Sequence, residues 1–332
     1  MEPLTTILHA IGEVTRLRIL ALLAKGELTV SELVQIMGQS QPRISRHMKL
    51  LTNAGVTERL PEGAWVFYRL AEPGRPARRL ADAAIDLIPG DDHTAVRDQD
   101  RLERIKRARA DAAAQYFAEQ AEDWDRIRSL HLNETDVEAA MREALGPGPF
   151  GRHLDLGVGT GRILQVFSDR VERAIGVDLS HEMLSLARCN LDAAGLAQCS
   201  VRHGDLYALP FPAGYADLVT VHQVLHYLDN PQAAIAEAAR VLGPDGVLMI
   251  VDFAPHDLEF LRDAHAHRRL GFSDAAIGGW LTANGLRIRS KTALAPPQRD
   301  GDADGLTVSI WTAWKAARAR RAEVSEPCVS AA

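Results

Sequence analysis

The sequence predicts a two-part α/β protein, with a helix-rich amino-terminal unit followed by a domain built on a mostly parallel sheet. Three observations lead there. From Arg152 onward short apolar strands alternate with amphipathic helices, the pattern of a sheet covered by helices on its faces. Residues 1–90 instead repeat apolar side chains at helical spacing and hold a single pair of alternating strands. A strongly charged stretch separates the two, and 332 residues are more than one core usually organises, since domains run about 100–200 residues. The expected divisions are 1–90, a helical connector at 91–144, the α/β domain at 145–317 and a disordered tail at 318–332.

Bulk composition narrows the function classes. Apolar and charged fractions of 46% and 25% are those of a globular protein. Cys189, Cys199 and Cys328 form no Cys-x-x-Cys pair, and no signal peptide or membrane-length apolar run is visible. A cytoplasmic protein with no membrane partner is expected. The net charge of −6 argues against a nucleic-acid partner for the chain as a whole, but it hides a split. Between Ser40 and Arg79 eight Lys and Arg face three Glu, a local +5 that leaves −11 on the remainder.

In the amino-terminal unit, Leu8, Ile11, Leu17, Leu20 and Leu23 mark packing helices across Leu4–Ala24. A short helix is expected from Thr29 to Met37, with a turn at Gly38-Gln39. A second helix then opens at Ser40-Gln41-Pro42, with Ser40 as its N-cap and Pro42 in the first turn. On it Ile44, Met48 and Leu51 share one face and should be core. Gln41, Arg43, Ser45, Arg46 and Lys49 project elsewhere, with Arg and Gln suited to base edges and Ser, Arg and Lys to phosphates. Arg59–Leu70 alternates around Glu62-Gly63 as a hairpin, giving a winged helix-turn-helix. A basic run by itself is more often a solvated face; here turn, polar helix and wing occur together.

Thr15-Arg16-Leu17-Arg18-Ile19-Leu20, Ser40-Gln41-Pro42-Arg43-Ile44-Ser45-Arg46-His47 and Trp65-Val66-Phe67-Tyr68-Arg69-Leu70 resemble the ArsR/SmtB family over nearly all of residues 1–90. The resemblance implies a double-stranded DNA operator, contacts from Ser40, Gln41, Arg43, Ser45, Arg46, His47 and Lys49, and a homodimer to which the helix near Pro76–Ile88 contributes. Many such proteins bind soft metals through cysteines at the positions occupied here by Glu27-Leu28-Thr29-Val30-Ser31-Glu32-Leu33. Thr29 and Ser31 offer hydroxyls, poor ligands for thiophilic ions. No metal is expected there, so a regulatory signal must enter elsewhere.

The connector, Asp91 to about Leu130, carries Leu102, Ile105, Tyr116, Phe117, Trp124 and Ile127 and is expected to form one or two long helices. It can join the domains or pair with a second chain, and Tyr116 and Phe117 are either core or a cover over a ligand.

The α/β domain opens on His153-Leu154-Asp155-Leu156-Gly157-Val158-Gly159-Thr160-Gly161, a strand ending in an acid and three alternate glycines. Ligands on such sheets bind beyond the carboxyl ends of the strands. A glycine turn alone is a weak sign, since dinucleotide enzymes use one too. Asp178-Leu179-Ser180-x-x-Met183-Leu184 follows the second strand, and Gly204-Asp205-Leu206-x-x-Leu209-Pro210-Phe211 follows the third. Together the three resemble class I S-adenosylmethionine-dependent methyltransferases over about residues 145–315, which implies a Rossmann-like, mostly parallel seven-stranded sheet and S-adenosylmethionine or S-adenosylhomocysteine as ligand.

On that resemblance Gly157, Gly159 and Gly161 let the backbone approach the amino-acid end, and Asp155 holds its ammonium group directly or through water. Asp178 accepts from both ribose hydroxyls, as two carboxylate oxygens suit, with Leu179 beside it. Asp205 accepts from the adenine amino group; Met183 and Leu206 either sandwich the ring or are core; His222 and Gln223 border the ligand. Asp217–Tyr227 and Arg240–Gly246 resemble the ubiquinone-biosynthesis-like branch, with Gly243-Pro244-Asp245-Gly246 replacing its Pro-Gly-Gly turn ahead of a strand expected over Gly246–Asp252. His256, His265 and His267 lie beyond the fifth strand; His265 and His267, two apart, cannot chelate as an i, i+4 helical pair could, although one histidine near the acceptor could act as a general base. The whole order resembles bacterial fused regulators that sense S-adenosylhomocysteine or S-adenosylmethionine and control methionine-cycle genes. A DNA-binding repressor with such an effector domain is the first expectation; an active small-molecule methyltransferase with a regulatory or dimerising winged helix is the alternative.

Overall fold

The computed structural model describes residues 2–62, 65–71, 74–119, 133–261, 267–295 and 306–315. The amino-terminal unit contains α1 (Glu2–Ile11), α2 (Val14–Leu23), β1 (Leu28–Thr29), α3 (Val30–Met37), α4 (Gln41–Asn53), β2 (Thr57–Glu62), β3 (Trp65–Leu70) and α5 (Pro76–Asp86). Its strands form an antiparallel sheet of order β1-β3-β2. Ile19, Leu20, Leu33, Ile36, Ile44, Met48 and Leu51 are fully buried in one cluster. At about 1.5–3 kcal/mol per buried aliphatic side chain, that cluster is the main force holding the helices together.

Local signals set the helix-turn-helix. Thr29 caps α3: its hydroxyl accepts from Glu32 N at 3.2 Å, while the Glu32 carboxylate accepts from Thr29 N at 2.7 Å. The left-handed Gly38, φ 65°, ends α3 with its N–H donating to Val34 O. Ser40 occupies the N-cap position of α4, but its side chain makes no capping bond. An N-cap oxygen bonds the second or third helical N–H. Pro42 lacks the second, and Arg43 N already donates to Ser40 O at 3.1 Å.

Over 91–119 the connector forms one long helix, α6 (His93–Glu119), while its described end from 133 onward forms a helix that packs on the α/β domain. Arg18 pairs with the buried Asp98 at 2.6 Å, Arg101 donates to Ile36 O, and Leu102 joins the amino-terminal core. The side chains of Tyr116 and Phe117, and all of Trp124 and Ile127, lie outside the described residues, as do His265 and the tail at 318–332.

The α/β domain follows as α7 (Glu134–Leu145), β4 (Phe150–Leu156), α8 (Arg162–Val166), β5 (Val171–Asp178), α9 (His181–Ala193), β6 (Cys199–His203), β7 (Ala216–His222), α10 (Pro231–Val241), β8 (Leu242–Phe253), α11 (Asp274–Ala283), β9 (Leu286–Leu294) and β10 (Val308–Lys315). Its seven strands run β6-β5-β4-β7-β8-β10-β9. All neighbours are parallel except β10, which is antiparallel to β8 and β9. The order reverses direction between β4 and β7, which places the crevice for a ligand at their carboxyl ends. Separate apolar clusters fill the two faces.

One strand differs from the sequence pattern. β8 begins at Leu242, not at Gly246, and passes through Gly243-Pro244-Asp245-Gly246 with Asp245 at φ 60° and a register shift against β7 between Ala216 and Leu218. The four residues act as an irregularity inside a strand, which glycine and proline disguise as a turn. Among the described residues, no helix is long and apolar enough to cross a membrane.

Candidate functional site

The glycine turn leaves the carboxyl end of β4 with Gly157 N and Val158 N donating to Val177 O at 2.8 and 3.0 Å. Gly157 and Gly161, at φ 75° and 81°, are held by neighbours as well as by backbone angle. A Cβ on Gly157 would lie 2.3 Å from Val224 Cγ2, and one on Gly161 3.2 Å from Ala187 Cβ. Gly159, φ 49°, has nothing within 4 Å of its missing Cβ. The open glycine between two packed ones leaves a bare backbone edge, as a nucleotide cradle requires.

Asp178 ties this turn to the next helix. Its Oδ2 accepts from Gly159 N and its Oδ1 from Ser180 N, both at 2.9 Å. Each oxygen keeps a second lone pair, so both can still accept from a diol. Ser180 in turn caps α9 by accepting from Met183 N. Met183 keeps an accessible flank, Leu179 is exposed, and Leu206 is 5% exposed within the sheet core. Asp205 is exposed, its Oδ1 accepting from Tyr207 N. His222 and Gln223 end β7 half-buried; Gln223 has the uncommon φ of 52° and donates its N–H to Val251 O.

Asp155 lies deeper, at 1% exposure. Thr220 Oγ1 donates to its Oδ1 at 2.6 Å, and His153 Nε2 lies 2.8 Å from the same hydroxyl. Because the hydroxyl hydrogen is directed at the carboxylate, His153 Nε2–H is the donor to Thr220. Burial pushes the Asp155 carboxyl up to about 7, against the pull of the Thr220 bond, and Asp178 adds to the rise. Burial alone pushes His153 down to about 3, so its ring is neutral. An acid close to its ionisation point, with no cation of its own, suits a site that receives an ammonium group.

The sequence reading missed this chain of three. His153 and Asp155, two apart on the central strand, point to the same side where apolar residues belong; that breach of alternation was the available signal. It also missed His226 and Asp252, beyond β7 and near the end of β8. His226 Nδ1 and Asp252 Oδ1 are 2.8 Å apart and both side chains are buried. The His226 ring lies against Tyr227, Phe253 and His267. Of the histidines singled out earlier, His256 packs edge-on against Phe253 and His267 joins this cluster. Among the described residues no group of three His, Cys, Asp or Glu side chains is arranged to hold a metal.

On α4, Ile44, Met48 and Leu51 are buried, while Ser40, Gln41, Arg43, Ser45, Arg46 and Lys49 are exposed. His47 is half-buried with Nδ1 3.6 Å from Glu13 Oε2. Burial holds it below the ordinary histidine range; Glu13 opposes the shift, and Arg16, Arg43 and Arg46 reinforce it.

The two units meet through α9 and β6. Arg202 Nη1 on β6 donates to Glu27 Oε1 at 2.8 Å, and Arg188 Nε on α9 is 3.7 Å from Glu27 Oε2. The Arg188 guanidinium also covers the Phe67 ring at 3.8 Å, a cation–π contact with β3. Arg69 reaches Ser200 Oγ at 3.4 Å while paired to Glu58, and Lys106 of α6 is 3.4 Å from Asp192. Beside this contact lies a cavity of about 460 Å³, lined among others by Lys106, Arg152, His153, Arg173 and Tyr215. It sits at the amino ends of the strands, and no glycine-turn residue lines it.

Comparison with known proteins agrees with the geometry. Residues 13–58 match the family model for bacterial regulatory proteins of the arsR family, and residues 154–250 match that for a methyltransferase domain. The chain is 36% identical over 107 residues to the uncharacterized methyltransferase YcgJ of Bacillus subtilis, covering 32% of this chain and 42% of YcgJ. It is 33% identical over 144 residues to the demethylmenaquinone methyltransferase of Thermus thermophilus, covering 42% of this chain and 64% of that enzyme. The chain thus spans less than two thirds of either relative. The crystal structure of YcgJ superposes with a TM-score of 0.47 at 23% identity, covering 55% of this chain and 98% of that one. The sheet order and the two matched segments together identify a chain that carries an ArsR-family helix-turn-helix followed by a class I methyltransferase domain.

Proposed function

We propose that this protein is a dimeric, DNA-binding transcriptional repressor whose methyltransferase domain binds S-adenosylhomocysteine or S-adenosylmethionine as an effector and controls methionine-cycle genes. The observation that carries this reading is the docking of the DNA-reading unit on α9 and β6, the two elements adjoining Asp178 and Asp205. A ligand that grips both acids acts on the elements that hold the reader. The exposed polar face of α4 suits a major groove. Leu4 and Leu8 on α1 and Leu87 beyond α5, the last 82% exposed, supply an apolar face for a second copy.

A ligand shifts DNA binding only by its preference for one state, and a 100-fold preference corresponds to about 2.7 kcal/mol. The test is a titration of each compound against the full-length protein bound to DNA from its own upstream region, at fixed salt. We expect at least one of them to change operator affinity by about tenfold or more. Unchanged affinity with both removes the effector reading.

A second reading, methyl transfer to a small molecule, is favoured by the His226–Asp252 pair, since a buried carboxylate fixes the imidazole as a general base requires. S-adenosylhomocysteine formed with any small acceptor supports it; a domain that binds both compounds without turnover excludes it for the acceptors tried.

A further inference from the structure

A cradle and a reading helix on one chain need a physical connection, and two of the described contacts between them meet at one carboxylate, Glu27. Glu27 lies in the loop between α2 and β1. Its side chain is 12% exposed, with Arg188 at 8% and Arg202 at 11%. Burial pushes its carboxyl up, but Arg202, Arg188 and Arg69 outweigh that and hold it below the ordinary range, so the group is ionised.

Position in the chain gives the cluster its meaning. Glu27 precedes Leu28 and Thr29, and Thr29 caps α3, the first helix of the helix-turn-helix. Arg202 stands three residues before Asp205, and Arg188 lies on α9, whose first turn carries Met183 and whose cap is tied to Asp178. α9 is a 13-residue helix, about 20 Å long at 1.5 Å per residue. Its first turn adjoins the cradle, and Arg188, near its middle, touches the reader. Phe67 beneath Arg188, and Arg69 near Ser200, extend the same contact to the wing strand β3.

We propose that Glu27, gripped by Arg188 and Arg202, is the relay through which ligand in the methyltransferase cradle repositions the helix-turn-helix. The proposal rests on the effector reading above and specifies its route. Closing the cradle on a ligand moves α9 and the end of β6 together. The two guanidinium groups carry Glu27 with them, and the rigid link Glu27-Leu28-Thr29 passes the movement to the start of α3. Glu27 is at neither the cradle nor the DNA face, so the relay separates from both binding functions.

The test compares the full-length protein with Glu27→Gln, Arg202→Gln and Arg202→Lys. For each, S-adenosylhomocysteine affinity is measured by calorimetry, operator affinity by fluorescence anisotropy with and without that ligand, and hydrogen exchange across residues 28–37. Glu27→Gln and Arg202→Gln should bind ligand within about threefold of the natural protein, while the ligand-dependent change in operator affinity falls to under about threefold. Arg202→Lys keeps a cation and should retain most of the response, which separates charge from bulk packing and supplies a folded variant should a glutamine substitution disturb folding. In the natural protein, ligand should alter exchange across residues 28–37, and Glu27→Gln should abolish that change. Full coupling in a folded Glu27→Gln protein overturns the relay, as does an absence of any ligand-dependent exchange change at residues 28–37 in the natural protein. If exchange responds in the natural protein and operator affinity does not, the relay stands and the effector reading fails.

Discussion

Asp155 and Glu27 are both carboxylates withdrawn from water, and their surroundings treat them in opposite ways. Asp155 meets a hydroxyl and lies near a second acid, so its carboxyl rises to about 7. Glu27 meets three arginines, which more than offset its burial and keep it charged. A buried charge with partners is a finished contact, whereas one without them is strained until a cation arrives. On the reading proposed above, Glu27 serves structure and coupling and Asp155 serves ligand capture.

The largest effect should come from removing the finished contact. Glu27→Ala leaves Arg188 and Arg202 facing each other without their shared anion, and breaking such a buried pair costs about 3–5 kcal/mol. Urea denaturation of the full chain should show that loss, or a separate early transition as the units part. A loss below about 1 kcal/mol would mean that the cluster is solvated and contributes as a surface pair does.

Asp155→Asn should act in the other direction. An amide carries no charge to strand, so the empty protein should gain about 2–4 kcal/mol near pH 8, with the gain shrinking toward pH 5. The sign follows from the raised value. The folded group holds its proton up to about 7 while the unfolded one releases it near 3.8, so its contribution to stability declines as pH rises across that window. His153 has the opposite dependence, with its neutral form lost in the unfolded state as pH falls from 6.5 toward about 3. The same Asn substitution should weaken S-adenosylhomocysteine binding by about tenfold or more, because a charged hydrogen-bond acceptor contributes about 1.5–3 kcal/mol. A protein stabilised by Asn with unchanged ligand affinity would disconnect Asp155 from the ammonium group.

Legibility in the sequence followed the range of the interactions. The glycine turn, Asp178, the α4 face and the strand-helix alternation each follow from spacing within a few residues, and the described elements lie where those patterns put them. Ser40 stands at the N-cap as expected, but its side chain makes no capping bond, because capping depends on which donors Pro42 and Arg43 leave available. The start of β8 was misjudged because Gly243 and Pro244 resemble a turn until their pairing with β7 is known. Thr220 and Glu27 were invisible for a stronger reason. Each gains its role from a partner 65 or more residues away, and no local pattern records such a meeting.

Glycine substitutions sharpen the ligand half of the comparison at smaller cost. Gly159→Ala meets no neighbour, so its folding penalty is that of the left-handed backbone alone, about 1 kcal/mol. Gly157→Ala must displace Val224 and should unfold or distort the turn. Gly159→Ala should therefore fold and lose ligand affinity, by the approach of its methyl group to the bound molecule. Retained affinity in that variant would place the ligand away from the turn.

The smallest predicted effect is the most specific. Thr220→Val removes the hydroxyl that donates to Asp155 and accepts from His153 while nearly preserving shape. Losing one net hydrogen bond corresponds to about 1 kcal/mol, or roughly fivefold in ligand affinity near pH 7. Because that hydroxyl lowers the Asp155 value, its loss should also move the pH at which ligand affinity rises to a higher value. A uniform weakening with an unmoved midpoint would show that Thr220 only packs against Asp155. A raised midpoint in Thr220→Val, together with a flat profile in Asp155→Asn, would assign the titration to Asp155 and leave Glu27, already ionised, outside that pH window.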